Sequence, residues 1–203
     1  MASQFQRDKL VDMFRAFDAD DNGYLDQRDF QALAERWRRL PRVTPGSELS
    51  VRVESLMLGW WDHLAAHVDT DGDGKVDLDE LLAMVDLLPT MREVVAATAE
   101  TVFDAVDENG DGRISPSEHQ RLVDTWHGER VDVADVFAHL DQDGDGYLSR
   151  PEFTELWIQF WISDDPAEPG NRLCGPVTGR AAGAGRRSGA ALAPDHPPRT
   201  PPR

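Results

Sequence analysis

Oxygen-bearing side chains recur in one twelve-residue pattern at residues 18–29, 69–80, 107–118 and 141–152. The first, third and fifth places hold Asp18, Asp20 and Asn22, then Asp69, Asp71 and Asp73, then Asp107, Asn109 and Asp111, then Asp141, Asp143 and Asp145. The sixth place is glycine every time: Gly23, Gly74, Gly112 and Gly146. Hydroxyls or carboxylates return at the ninth place (Asp26, Asp77, Ser115, Ser149), and an acid closes each stretch at the twelfth (Asp29, Glu80, Glu118, Glu152). No Cys or His falls inside the pattern, so the donors are all oxygen, which suits a hard divalent cation rather than zinc or copper.

These stretches resemble the loops of EF-hand calcium-binding proteins, and the resemblance assigns the donors. Calcium takes six to eight oxygens at about 2.3–2.6 Å. Side chains at positions 1, 3 and 5 supply three of them, and the backbone carbonyl at position 7 adds another, here from Tyr24, Lys75, Arg113 or Tyr147. Position 6 must turn sharply, which favours glycine. Position 9 reaches the ion directly or through water, and a long carboxylate at position 12 gives both oxygens. Glu80, Glu118 and Glu152 suit that last role. Asp29 is one methylene shorter and gives one oxygen, so loop 1 is expected to bind metal with a stronger leaning toward magnesium. The full expectation is up to four calcium ions, with magnesium competing chiefly at loop 1.

Positioning such loops requires an amphipathic helix on each side. Loop 1 is flanked by Leu10, Phe14 and Phe17 before it and by Phe30, Leu33 and Trp37 after it; loop 2 lies between Trp60, Trp61, Leu64, Val68 and Leu81, Leu82, Val85. Loop 3 follows Val102, Phe103 and Val106 and precedes Leu122, Val123 and Trp126, while loop 4 follows Val133, Val136, Phe137 and Leu140 and precedes Phe153, Leu156, Trp157 and Phe160. Position 8 is apolar each time (Leu25, Val76, Ile114, Leu148), as loops paired through a short two-stranded sheet require. Pro116 and Pro151 stand where the outgoing helix begins, a place that tolerates a missing N–H. The expected fold is all-α: four EF-hands in two pairs, residues 1–88 and 89–165, forming a compact two-lobe body with short loop-pairing strands. Pro89 should interrupt any continuous helix between the halves.

The loops begin at 18, 69, 107 and 141, so the first gap is much the longest. That spacing is similar to sarcoplasmic calcium-binding proteins and their bacterial relatives of the calerythrin type, over roughly residues 5 to 165. The resemblance implies two packed EF-hand pairs in one body that buffers calcium and magnesium. The second hand of that family has often lost its ligands, whereas loop 2 here is complete. Composition points the same way: five Met against six Trp and eight Phe describe an aromatic core rather than the Met-lined groove of a sensor. The alternative is a calcium sensor that exposes an apolar surface to a protein target. A luciferin-binding module of the same fold would need a ligand cavity, and the Trp residues are expected to fill the core instead.

The chain has 203 residues and a net charge of −17. Residues 166–203 hold two acids, six Arg and eight of the thirteen Pro, leaving 36 acids against 15 bases in the preceding body, a charge of −21. Such a body repels polyanions, so neither nucleic acid nor an anionic membrane is an expected partner. The single Cys174 forms no intrachain disulfide, and no secretory leader or 18-residue apolar run is present, so a cytoplasmic monomer is expected. Outside the loops no catalytic constellation stands out, and no enzymatic activity is expected. His63 and His67, one helical turn apart, read as a solvated helix face rather than a zinc site. Gly183-Ala-Gly185 neither follows a strand nor opens a helix and is discounted as a nucleotide loop. The Pro, Arg and Gly-rich segment from residue 166 reads as disordered, and after Pro176 as an extension or a frameshifted end. In actinobacterial members of the calerythrin type, the resemblance implies large apolar residues at the places of Arg172 and Cys174, so docking of this end is not expected.

Overall fold

The computed structural model describes residues 3–178, and they are mostly helical. Eight α-helices follow in order: α1 (Gln4–Phe17), α2 (Gln27–Trp37), α3 (Glu48–His67), α4 (Leu78–Ala83), α5 (Arg92–Val106), α6 (Pro116–His127), α7 (Phe137–Leu140) and α8 (Arg150–Ile162). Two-residue strands β1 (Arg113–Ile114) and β2 (Leu148–Ser149) pair antiparallel, with Ile114 opposite Leu148. Leu25 and Val76 form the matching bridge between loops 1 and 2, exchanging N–H···O bonds of 2.8 and 2.9 Å. The all-α expectation is met, and all four position-8 side chains are fully buried, which ties each loop to its partner.

Local sequence explains the helix starts. The position-9 residues Asp77, Ser115 and Ser149 cap α4, α6 and α8 by accepting from the N–H three residues on, and Asp26 caps α2. Pro116 and Pro151 occupy the first turn of α6 and α8. The chain leaves α geometry after α4, passing through a 3-10 helix (Met84–Met91) that contains Pro89 before α5 begins.

The incoming helix of the fourth hand is shorter than the apolar pattern from Val133 to Leu140 suggests. Gly128 ends α6 at φ 72°. The following backbone is then pinned by side chains of α6: Gln120 donates to the Val131 carbonyl at 2.6 Å and Asp124 accepts from the Val131 N–H at 3.1 Å. Only one helical turn, α7, remains before loop 4.

One apolar core runs through both pairs. Helix α5 packs on α8, α2 on α3, and α1 on α4 and α6. At the centre Trp126 lies 5.0 Å from Phe17 and 6.2 Å from Trp60 of the first half, and 5.9 Å from Trp157 and 5.5 Å from Phe160 of the second. Asp104 of α5 adds a polar tie, accepting from Arg52 of α3 at 3.0 Å and from Arg150 of α8 at 2.8 Å.

The segment after α8 corrects the expectation of disorder from residue 166. Residues 166–178 fold against the body, with a 3-10 turn (Pro169–Arg172) packed on α8. Gly170 passes so close to α8 that a Cβ there would sit 2.3 Å from the Leu156 carbonyl. Docking does not need large apolar residues at 172 and 174. Arg172 points outward, while the neighbouring Leu173 is fully buried and Cys174 fills its site as a small apolar group. His119 and His127 fix the carbonyls of Leu173 and Cys174 through Nε2, at 2.9 and 2.7 Å. Gly183-Ala-Gly185 and the rest of residues 179–203 lie outside the described residues.

Lys9 locks this strap to both ends of the body. Its ammonium donates to the carbonyls of Phe160 at 2.8 Å and Ser163 at 2.6 Å, capping α8, and to Asn171 Oδ1 at 2.8 Å. Replacing it, Lys9→Met, leaves those acceptors unpaired and is expected to cost about 2–4 kcal/mol in chemical denaturation. Burial pulls the Lys9 ammonium down to about 8, with the Asp164 carboxylate opposing. The unfolded chain therefore binds the extra proton between about pH 8 and the ordinary value of 10.5, so this group's contribution makes stability rise with pH in that window. In Lys9→Met that rise should disappear; a retained slope would assign it elsewhere.

Candidate metal centre

Each loop is organised around its first aspartate. In loops 2, 3 and 4 one carboxylate oxygen accepts from the position-4 glycine and the other from the position-6 glycine, at 2.7 and 3.0 Å on Asp69, 2.8 and 3.1 Å on Asp107, and 2.8 and 2.8 Å on Asp141. Asp18 of loop 1 accepts instead from Asn22 at 3.0 Å and Gly23 at 2.9 Å. Its fourth position is Asp21, held at φ 56°, where the other loops place glycine. A left-handed aspartate is tolerated through its short polar side chain at roughly 1 kcal/mol. Position 4 carries no metal donor, so the pattern of ligand positions gives no sign of this departure.

The twelfth residue spans the loop from its far end. Glu80 accepts from Thr70 N–H at 2.8 Å and Asp77 N–H at 3.0 Å, and Glu118 accepts from Glu108 N–H at 2.9 Å and Ser115 N–H at 2.8 Å. Asp29, although shorter, reaches both equivalent amides, Ala19 at 2.9 Å and Asp26 at 2.8 Å. Glu152 differs. Its Oε2 accepts from the Ser149 N–H at 2.9 Å, while Oε1 is buried without a partner. A buried, unpaired carboxylate oxygen is costly unless a cation completes it.

The loops gather their acids to different degrees. Ligand oxygens of Asp18, Asp20 and Asp29, of Asp69, Asp71 and Asp73, and of Asp141, Asp143 and Glu152 lie within 4.8 Å of one another. Two oxygens on one calcium ion can be at most about 5 Å apart, so these three sets fit the ion without rebuilding. Asp26, Asp77, Glu80 and Asp145 stand at their loops outside these tight groups, and among the described residues loop 3 brings no such triplet together. Asn109 of loop 3 turns its side-chain amide onto Asp111 at 3.0 Å.

Position 7 contributes its side chains to loop pairing. Lys75 of loop 2 lies 4.7 Å from the ring centre of Tyr24 in loop 1, and Arg113 of loop 3 lies 5.4 Å from that of Tyr147 in loop 4. Each pair leaves the loop backbones side by side.

Crowding shows in the proton equilibria. Burial, then the neighbouring Asp20 and Asp21 carboxylates, raises the Asp18 carboxyl against its two N–H bonds. Burial likewise raises Asp29, with Asp26 and Asp20 adding to it. Glu80 is lowered by the amides of Asp77 and Thr70 that it accepts. His63 and His67 stack at 4.5 Å, and among the described residues they belong to no group of three metal-binding side chains.

Comparison with known proteins agrees with this geometry. A family model described as "EF-hand domain pair" matches residues 7–85 and 97–158. The sarcoplasmic calcium-binding protein of Scylla paramamosain is 28% identical over 177 residues, covering 79% of this chain and 90% of that protein. Calerythrin of Saccharopolyspora erythraea is 22% identical over 158 residues, covering 75% and 89%. Among solved structures, the sarcoplasmic calcium-binding protein from amphioxus superposes with a TM-score of 0.66 at 20% identity, over 87% of this chain and 99% of that one.

Proposed function

Because the chain belongs to the EF-hand domain pair family, a calcium-binding and non-enzymatic class, we propose that it is a calcium buffer of the cytoplasm, monomeric, with magnesium as a competing ion. The observation that carries buffering over sensing is the aromatic junction at Trp126. A sensor lobe opens by separating its helices to expose an apolar groove. Here Phe17 and Trp60 of the first pair and Trp157 and Phe160 of the second all bear on one buried ring, 1% exposed, so opening either pair would break the core shared by both. Among the described residues the exposed large apolar side chains are Tyr24, Val51, Val94 and Tyr147, scattered rather than contiguous, and two of them belong to the loops.

The same core argues against a luciferin-binding role. The crevice bordering that core, between Gln6, Leu10, Met13, Leu88 and Trp161, has a volume of about 10 Å³, room for a single water rather than a ligand of several rings. The larger cleft of about 380 Å³ beside Arg36, Arg39, Arg121 and Asp124 is an open, charged surface groove rather than a cavity enclosed by the aromatic core. No helix among the described residues is long and apolar enough to cross a membrane.

We assign the ions to all four loops through the twenty-four residues given above. Loops 1, 2 and 4 have converging acids in support, and loop 3 has its full set of position-1, 3, 5, 9 and 12 donors. Asp29 keeps loop 1 small and favours magnesium there. The test is a calorimetric calcium titration of the full chain with and without magnesium, paired with binding of a dye that reports exposed apolar surface. Four calcium equivalents are expected without magnesium, one of them weakened most strongly by it, and dye fluorescence should stay level or fall. A strong calcium-induced rise in fluorescence would favour the sensor reading instead.

A further inference from the structure

Among the described residues loop 3 differs from the other loops in having a cation of the protein's own on its position-1 carboxylate. Arg42 belongs to the linker 38–47 between α2 and α3, held in place by buried Leu40 and Val43. Its Nη1 stands 2.9 Å from Asp107 Oδ2 and donates to the Asp107 carbonyl at 2.8 Å. The guanidinium also covers position 4 of the loop, where a Cβ on Gly110 would be 3.5 Å from Nη2. The Asp107 side chain is 2% exposed and that of Arg42 36%, so solvent screens the guanidinium from outside but does not come between the two groups on the carboxylate side. Among the described residues the other position-1 aspartates, Asp18, Asp69 and Asp141, form no ion pair with an Arg, Lys or His.

We propose that Arg42 acts as an internal competitor for calcium at loop 3, lowering the affinity of that loop and tying its loading to release of the 38–47 linker. A guanidinium bonded to the position-1 carboxylate withdraws negative potential from the ion's place and repels the divalent charge from the carboxylate side, where solvent does not intervene. Loop 3 starts with fewer acids than its neighbours, since Asn109 and Ser115 replace carboxylates, so the loss weighs more there. Coupling between two ligands of one group is reciprocal. If the Arg42 bond disfavours calcium at Asp107, calcium at Asp107 disfavours the Arg42 bond by the same factor. The linker turns that follow, Val43 N–H to the Leu40 carbonyl and Thr44 N–H to the Arg42 carbonyl, each 3.0 Å, then lose one of their anchors and keep the buried Leu40 and Val43. An interval of the first half thereby senses a metal site of the second, 65 residues away in sequence.

This inference rests on loop 3 being a calcium site. The full ¹⁵N-labelled chain is titrated with calcium while the amides of Gly23, Gly74, Gly112 and Gly146 report each loop separately. Arg42→Ala should lower the Gly112 midpoint about tenfold, equal to about 1.4 kcal/mol, and leave the other three in place. Arg42→Lys, which keeps the charge, should stay near the parent protein. In metal-free protein the same Arg42→Ala change should speed hydrogen exchange at Val43 and Thr44, and calcium should speed it in the parent protein. Equal Gly112 midpoints in the parent and Arg42→Ala, or a weaker one in the variant, would overturn the Arg42 inference alone. A Gly112 resonance unmoved by calcium in both proteins would overturn it together with the four-site assignment, while shifts at Gly23, Gly74 and Gly146 would still report the other sites.

Discussion

Stripping calcium from the loaded chain should lower its melting temperature by tens of degrees. A ligand that binds only the folded state stabilises it by about 4.1 kcal/mol at a free concentration 1,000 times its Kd. Three loops that already converge their acids would together contribute about 12 kcal/mol under that condition. Whole domains are stable by only about 5–15 kcal/mol, so the metal-free chain has little in reserve. At about 2–4 °C per kcal/mol for a chain of this size, the shift is about 25–50 °C. The sign follows from charge. Of the 36 acids before residue 166, sixteen occupy ligand positions 1, 3, 5, 9 or 12, and four divalent ions would move the body from −21 to −13. Without the ions those carboxylates repel one another inside loops that the fold holds closed. Thermal unfolding followed by circular dichroism in calcium and in chelator measures the effect. Equal melting temperatures in the two conditions would contradict the coupling of metal to folding.

Local rules made the loops readable from sequence, and long-range contacts account for what was not. Glycine at position 6, an apolar residue at position 8 and a capping residue at position 9 act within a few residues of the loop, and Leu25, Val76, Ile114 and Leu148 sit where that logic puts them. The strap at 166–178 was hidden because composition around Pro and Arg says nothing of one well-placed Leu173, a glycine able to touch the α8 backbone, and two histidines on α6 waiting for carbonyls. Arg42 reads in sequence as one more base in an Arg-rich linker. Only the packing of that linker across the second pair brings it onto Asp107. The shortening of α7 has the same origin, since Gln120 and Asp124 claim a backbone that its own apolar spacing would have made helical.

Glu152→Gln should act in opposite directions with and without metal. Oε1 of Glu152 is buried with no partner among the protein's own groups, while Oε2 is satisfied by the N–H and hydroxyl of Ser149 at 2.9 and 2.6 Å. The substitution removes a charge from a site that leaves it half unpaired, and the remaining side-chain oxygen can still accept from Ser149. Metal-free stability should therefore hold or rise, by up to about 1 kcal/mol. With calcium the same change deletes the one long carboxylate that joins Asp141 and Asp143 around the ion. Loss of a charge that is buried and paired costs about 3–5 kcal/mol, so the loop 4 dissociation constant should rise at least about 100-fold, equal to about 2.8 kcal/mol. Part of the loss should reach loop 3, because β2 of loop 4 is held by β1 of loop 3 through Ile114 and Leu148. Glu155→Gln is the control, an acid on the same helix that pairs at the surface with Arg92 at 3.2 Å and should change neither state by more than about 0.5 kcal/mol. Melting curves in chelator and in calcium, with the Gly146 amide as the reporter of loop 4, separate the two effects. If Glu152→Gln lowered stability equally in both conditions, the orphaned oxygen would be a packing feature rather than a place prepared for an ion.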